Sequence, residues 1–439
     1  MEAMLDRLGL RRPPYMVAQV VGSNGKGSTS VMLASLVQRH SLKVGLHTSP
    51  HFVSVRERVR VNGAMLPEHR WQELANTLME HGGEELSYFE FVTSLSILAF
   101  AEECVDLAVM ETGLGGMYDA TTALAADVLL YTPIALEHQL VLGPRLKDIA
   151  TDKAGAIRSG ASVFSAVQQP EAMEQLERTA RERAAPLHVV SPLTELPDQT
   201  RFPMRLAGEH QHDNARLALT AWRHVRTHPA LSGTARQALA EAEKNGAKES
   251  LEGHGLAEAW IPGRLQRVPP LPADPGSPRA GWPPLILDGA HNSHGMAALS
   301  RALANRGIAP AAVIFACLLD KDLKLLLPHL RVLATGPIYV PPIPDNPRAL
   351  APEELAAEIG LNAVPTRSLQ EALDAASTHI ADRLPESFSG KFPNNPLLIC
   401  GSLYLLGEFY SLRPDTLQGS ADIFFERGAA PSQNLINTS

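Results

Sequence analysis

The sequence predicts an α/β protein built from two parallel-sheet blocks, and three observations carry that expectation. Short aliphatic runs recur from near the N-terminus to about residue 400, each followed by a helical pattern. The runs are apolar at successive positions rather than alternate ones, as strands covered on both faces should be. The rhythm is interrupted once by a helical stretch and then resumes. Strand–helix alternation of this length gives βαβ units and a parallel sheet.

In chain order, YMVAQVVG reads as the first strand and GKGSTSVMLASLVQRH as its helix. LKVGLHTS is a second strand, FVTSLSILAFAEECV a helix, VDLAVMETG a third strand, DVLLYTPIAL a fourth and VFSAV a fifth. From about Phe202 to Glu252 the pattern is helical, with ARLALTAWRHV its clearest stripe. The Pro- and Gly-rich stretch 269–284 reads as a surface insertion between strands. PLILDGA, a helix from about Gly295, AAVIFACLL, GPIYVPP, a helix near 352–358 and PLLICGS complete the second block. A boundary is expected near 259–263, dividing the chain into 1–260 and 261–439. The tail beyond Pro414 mixes polar residues with IFFERG and reads as partly disordered.

At about 100–200 residues per domain, 439 residues make two or three domains. The net charge of −8 argues against a nucleic-acid binder, whose surface would be basic. No run of about 18 apolar residues is present, so no membrane span is expected. Cys104, Cys317 and Cys400 are far apart and lack CxxC spacing. They read as buried, reduced thiols rather than disulfide or zinc ligands. The N-terminal MEAMLDRLGLRRPPY lacks the apolar core of a signal peptide, so a cytoplasmic protein is expected.

The strongest motif is Gly22-Ser23-Asn24-Gly25-Lys26-Gly27-Ser28-Thr29, between a strand and a helix. Glycines let backbone N–H groups cradle phosphates, and the helix N-terminus adds its dipole. Lys26 would reach the β/γ-phosphates, and Ser28 a metal or phosphate. The glycine after the lysine makes this a variant of GxxxxGK[ST].

Thr48-Ser49-Pro50-His51, Glu111 to Gly116 and Glu137-His138 follow strands, where ligands collect in parallel sheets. Their hydroxyl, carboxylate and imidazole could close on a hard cation, but helix caps and core histidines look the same. Lys153 reads as the start of a helix and, on its own, as a surface lysine. In the second block, Arg264 could clamp a phosphoryl group. Asp288 ends a strand, and His291-Asn292 would begin the next helix. Gly208 to Arg216 carries possible purine-edge binders, among them Asn214.

GSNGKGST, TSPH, ERxRVNG, METGLGG-x-x-DAT, DKAGAIRSG, GEHQHDNARLA, PGRLQ, LDGAHNSHG, DKD and CGSLYLLGE run in order from about residue 20 to 408. Together they resemble the folylpolyglutamate synthase/dihydrofolate synthase family of the Mur ligase superfamily. The resemblance implies an N-terminal P-loop-type ATPase domain and a smaller C-terminal Rossmann-like domain, with the reaction between them. It implies an ATP-dependent amide ligase that makes an acyl phosphate of a pteroate or folate carboxylate and couples it to L-glutamate.

By similarity, Gly22, Asn24, Gly25, Lys26, Gly27, Ser28, Thr29, Asn214, Arg264, Asp288 and His291 would bind ATP. Ser28, Ser49, Glu111, His138 and Lys153 would hold two Mg²⁺ ions, with Lys153 carbamylated. Lys26, Lys153, Asp288 and His291 would carry the chemistry, in a monomer, and the loop from Thr48 to Arg58 would flank the folate site. Met117, Thr122 and Glu137 stand where the family has arginine, asparagine and aspartate, and Pro133 where it has asparagine. They point to a different acid or amino acid as the alternative, with a non-catalytic ATP-binding relative as a second.

Overall fold

The computed structural model describes residues 1–271, 281–360, 362–382 and 394–418. Most of the 269–284 insertion and nearly all of the expected disordered tail lie outside them. Two sheets form. The first contains β1 (Met16–Val21), β2 (Val44–His47), β3 (Val59–Val61), β4 (Ala64–Met65), β5 (Leu107–Glu111), β6 (Val128–Tyr131), β7 (Ser162–Ser165) and β8 (Leu187–Val189). Their order is β4-β3-β2-β5-β1-β6-β7-β8, parallel except at the β2-β3-β4 edge.

The second sheet contains β9 (Gln266–Val268), β10 (Leu285–Leu287), β11 (Ala312–Phe315), β12 (Ile338–Val340), β13 (Ala363–Pro365) and β14 (Leu397–Cys400). Its order is β13-β12-β11-β14-β10-β9, with β9 antiparallel. The segment 259–265 joins the two lobes, and we propose the division at residue 260.

Burial explains the strand pattern. Every residue of β1 is buried; Val17 and Val21 face one core, and Met16, Ala18 and Val20 the other. The helices Tyr88–Glu102, Leu146–Ala154 and Pro170–Glu182 cover the first face. Lys26–Arg39, Glu209–Val225 and Lys248–Glu258 cover the second, with Trp222 buried among them. Because β5, β1 and β6 run parallel side by side, the loops that follow them open at one end of the sheet. The loops after β10, β11 and β14 gather likewise in the second lobe.

Several expectations need correction. Lys153 lies in the last turn of Leu146–Ala154, not at a helix start, and is 1% exposed rather than on the surface. Residues 202–207 are not helical; the helix begins after Gly208, whose φ is +113°. Cys104 is exposed, in the turn beyond the end of helix Tyr88–Glu102, while Cys317 and Cys400 are buried. No described helix is long and apolar enough to cross a membrane.

Candidate active site

The helix Lys26–Arg39 opens on Gly25, at φ +89°, with no side chain capping its first turn. Its free N–H groups are what a phosphate would satisfy. Close packing requires the neighbouring glycines. A Cβ on Gly22 would lie 2.0 Å from Thr132 Oγ1, and one on Gly25 2.4 Å from Asn214 Oδ1. The loop is tied down by Ser23 and Asn24 N–H groups donating to Pro133 O at 3.1 and 3.3 Å. Lys26 Nζ donates to Gly22 O at 3.0 Å. Ser28 Oγ, Thr29 Oγ1 and Asn24 Nδ2 are buried without a partner among the described residues.

This loop opens into a cleft of about 1020 Å³ between the lobes. From the first lobe Asn24 to Ser28, Ser49, Glu111, Glu137, His138 and Asn214 line it; from the second, Arg264, Asp288 and His291. Gly22, Thr29 and Lys153 sit behind the wall. Asn292 Nδ2 donates to Asn24 Oδ1 at 3.0 Å, joining the lobes at the phosphate loop.

Glu111 ends β5 and takes a hydrogen bond from Ser49 N at 3.1 Å. Burial pushes its carboxyl up to about 7, against the pull of Lys26, the Ser49 amide, Arg264 and Arg58. A Cβ on Gly27 would lie 3.6 Å from Glu111 Oε1, so the carboxylate adjoins the loop bearing the orphaned Ser28 hydroxyl. Ser28, Ser49 and Glu111 therefore fit one magnesium ion, which keeps several waters and needs few protein ligands.

The second implied ion fits less directly. Lys153 Nζ pairs with Glu137 Oε1 at 2.9 Å and donates to Gly22 O at 2.9 Å. Burial raises the Glu137 carboxyl, yet Lys153 and Lys26 hold it well below the usual carboxylate range. Burial lowers the Lys153 amine against Glu137. An ammonium so placed does not ligate a cation; it would do so only as a carbamate, released by Glu137. His138 stands beside this pair at φ +47°. Among the described residues, no group of three His, Cys, Asp or Glu side chains forms a metal cluster.

Across the cleft, both Asp288 oxygens accept backbone N–H groups, Leu265 at 2.8 Å and Ala290 at 2.9 Å. Asp288 thereby fixes the loop carrying Arg264 against the one carrying His291. Burial raises its carboxyl, opposed by Arg264. His291 donates Nδ1–H to Gly289 O at 2.8 Å, leaving Nε2 as an acceptor. Burial brings it down to about 4, so it is neutral near pH 7.

Of the departures, Thr122 Oγ1 bonds Gln19 Nε2 and Gly116 O in the interior, away from the cleft. Met117 packs toward Gly155, and Tyr118 instead lines the cleft. Pro133 lines the cleft, and its carbonyl anchors the phosphate loop.

Arg58, at the end of the loop expected to flank the folate site, also lines the cleft, as do Phe89, Lys321, Arg348 and Tyr404, which the motifs alone did not single out. Phe52, on the loop after β2, reaches the other lobe, with its ring 4.9 Å from that of Tyr410. Its residue type, a phenylalanine beside His51 in a loop, was the available signal.

Residues 279–384 match the family model described as Mur ligase, glutamate ligase domain. The dihydrofolate synthase/folylpolyglutamate synthase of Bacillus subtilis (strain 168) is 31% identical over 425 residues, covering 93% of each chain. The chain belongs to the folylpolyglutamate/dihydrofolate synthase family. It is an ATP-dependent ligase of that family.

Solved family structures share the two-lobed fold. E. coli FolC in complex with DHPP and ADP is 28% identical, with a TM-score of 0.75, covering 94% of this chain and 92% of that one. The Yersinia pestis bifunctional folylpolyglutamate synthase/dihydrofolate synthase, complexed with AMPPNP and Mn ion, is 26% identical with a TM-score of 0.74, covering 94% and 92%.

Proposed function

We propose that this ligase phosphorylates the carboxylate of a pteroate- or folate-type acid and couples it to L-glutamate. The observation that carries the reading is the single cleft in which the Gly22–Ser28 loop faces Asp288 and His291, with Asn24 and Asn292 bonded across it. A carboxylate is a poor acyl donor because it must expel oxide. Attack of its oxygen on the γ-phosphorus forms a C(O)–O–P bond and releases ADP. Attack of the amine on that acyl carbon forms the amide and releases phosphate.

In this reading Lys26, the loop amides, Asn214 and Arg264 hold ATP. Ser28, Ser49 and Glu111 hold one magnesium ion, and His138 with carbamylated Lys153 a second; bound there, the ions supply neutralisation of phosphate charge. His291 offers Nε2 to the incoming amine, while Lys321 and Arg348 supply positive charge for its carboxylates. Closure of the lobes keeps water from the acyl phosphate. The enzyme works as a cytoplasmic monomer, with no nucleic-acid or membrane partner.

Phosphate release and amide product, followed with pteroate and folate acids plus L-glutamate, test this. Glutamyl amide is the expected product; no phosphate release with any such acid overturns it. Carbamylation predicts a carbamate signal after incubation with isotopically labelled bicarbonate, lost in Lys153→Met.

A further inference from the structure

Arg58 is a buried cation without an anion. The residue is 9% exposed, and its Nε donates to His51 Nδ1 at 2.9 Å. The guanidinium carbon lies 5.8 Å from the ring centroids of both Tyr88 and Phe89. Among the described residues it bonds no carboxylate, Glu111 and Glu57 acting on it only through space, and its side-chain hydrogen bond is the one from Nε to His51. Its neighbour Glu57 is occupied, accepting from Phe52, Val53 and Ser54 N–H groups at 2.7–2.9 Å. An unpaired buried charge is costly, and a chain that keeps one beside a reaction cleft keeps it for an anion that arrives from outside.

Three anions enter this cleft, and placement separates them. The phosphates face Lys26 and the helix N-terminus. In the reading above, the amine substrate's carboxylates go to Lys321 and Arg348, which line the cleft from the second lobe. Arg58 follows the loop bearing Ser49, attracts Glu111 electrostatically, and is walled by rings, with Leu114 and Tyr118 continuing the apolar lining. A carboxylate attached to an aromatic body, waiting beside the γ-phosphate, meets all three conditions.

We propose that Arg58 binds the acceptor's reacting carboxylate through its two Nη groups, presenting one oxygen to the γ-phosphorus. His51 holds Nε and so fixes the plane of the fork. An arginine suits this role because the fork grips two oxygens at once, which a lysine cannot. The assignment rests on the acid-activating reading above.

The test is calorimetric titration, in the presence of ADP, of pteroate and of its carboxamide, using wild type, Arg58→Gln and Arg58→Lys. Wild type is expected to prefer the acid. Arg58→Gln is expected to weaken acid binding by about 10- to 100-fold, as loss of a charge-assisted hydrogen bond should. It should erase the preference for acid over amide and leave ADP affinity within about twofold. Arg58→Lys keeps the charge and fills the same slot, so it checks folding; it should retain ADP and bind the acid less tightly. Unchanged acid affinity in either ADP-binding variant overturns the assignment. Wild type that binds no pteroate or folate acid overturns the folate reading and this assignment together, a result read without any variant.

Discussion

Lys26 lies free of any carboxylate partner among the described residues, its amine resting on the Gly22 and Ser23 carbonyls at 3.0 and 3.4 Å. A mobile cation parked on carbonyls can swing to a phosphate at little cost. Lys26→Ala should lower acceptor-dependent phosphate release by at least about 10²–10³-fold, the cost of losing one preorganised donor to developing charge, with the thermal midpoint little changed.

His210 supplies the pH prediction. Burial, with Arg264, His294, Arg301 and Arg306 around it, brings its imidazole down to about 4. The unfolded chain binds a proton near pH 6.5 that the folded chain refuses. Stability from this group is therefore fully present above about pH 6.5 and falls as pH drops toward 4, at up to about 1.4 kcal/mol per pH unit. Denaturant titrations of His210→Gln should show a shallower acid limb than wild type.

Lys153 shows what residue-level reading missed and why. Ile149, Ala150, Lys153 and Ala154 are all buried and fall on one helical face. The lysine sits where the 3.6-residue period places a core residue, so its burial was legible, but its pairing with Glu137 was not. Arg58 was legible only as part of a motif, because the lack of a partner is a property of the assembled cleft.

At the level of elements, the central strands were plain because burial on both faces removes the alternation that makes edge strands ambiguous. The short edge strands were not. β3 and β4 pair through Asn62 and Gly63, at φ +48° and +78°. An Asn-Gly pair is the strongest short hairpin signal, and it was present in the sequence. The helix ending in ARLALTAWRHV was clear, and its packing identifies its most sensitive residue. Trp222 is fully buried against helix Lys26–Arg39, with its ring centroid 4.7 Å from that of His40. Trp222→Ala should cost about 3–5 kcal/mol in chemical denaturation, the usual range for emptying so large a buried site.

The whole molecule combines a net charge of −8 with a cleft lined by the cations Lys26, Arg58, Arg264, Lys321 and Arg348. The net charge of −8 argued against a nucleic-acid partner without arguing against anionic substrates, since local donors decide the latter. Both sheets were readable in the sequence, but contact between the lobes was not. Asn24 meets Asn292 across 268 positions, and Phe52 meets Tyr410 across a still longer span, beyond the reach of any local pattern. Phe52 links the loop of Ser49, His51 and Arg58 to the far lobe. Phe52→Ala should therefore raise the KM for the acid at least about tenfold while ADP affinity stays within about twofold, and Phe52→Leu should restore part of the loss. Equal effects on both ligands would argue against that link.

Gly407 lies at the other end of this attachment. A single methyl there would sit 2.8 Å from the Phe52 carbonyl oxygen. The helix Leu403–Leu412 thus has no room to grow beneath the first lobe's loop. Adding one carbon to Gly407, at a site remote in sequence from every nucleotide-binding motif, would push that loop off its perch and register as poor grip on the acid, so a lesion in one half would be diagnosed in the other.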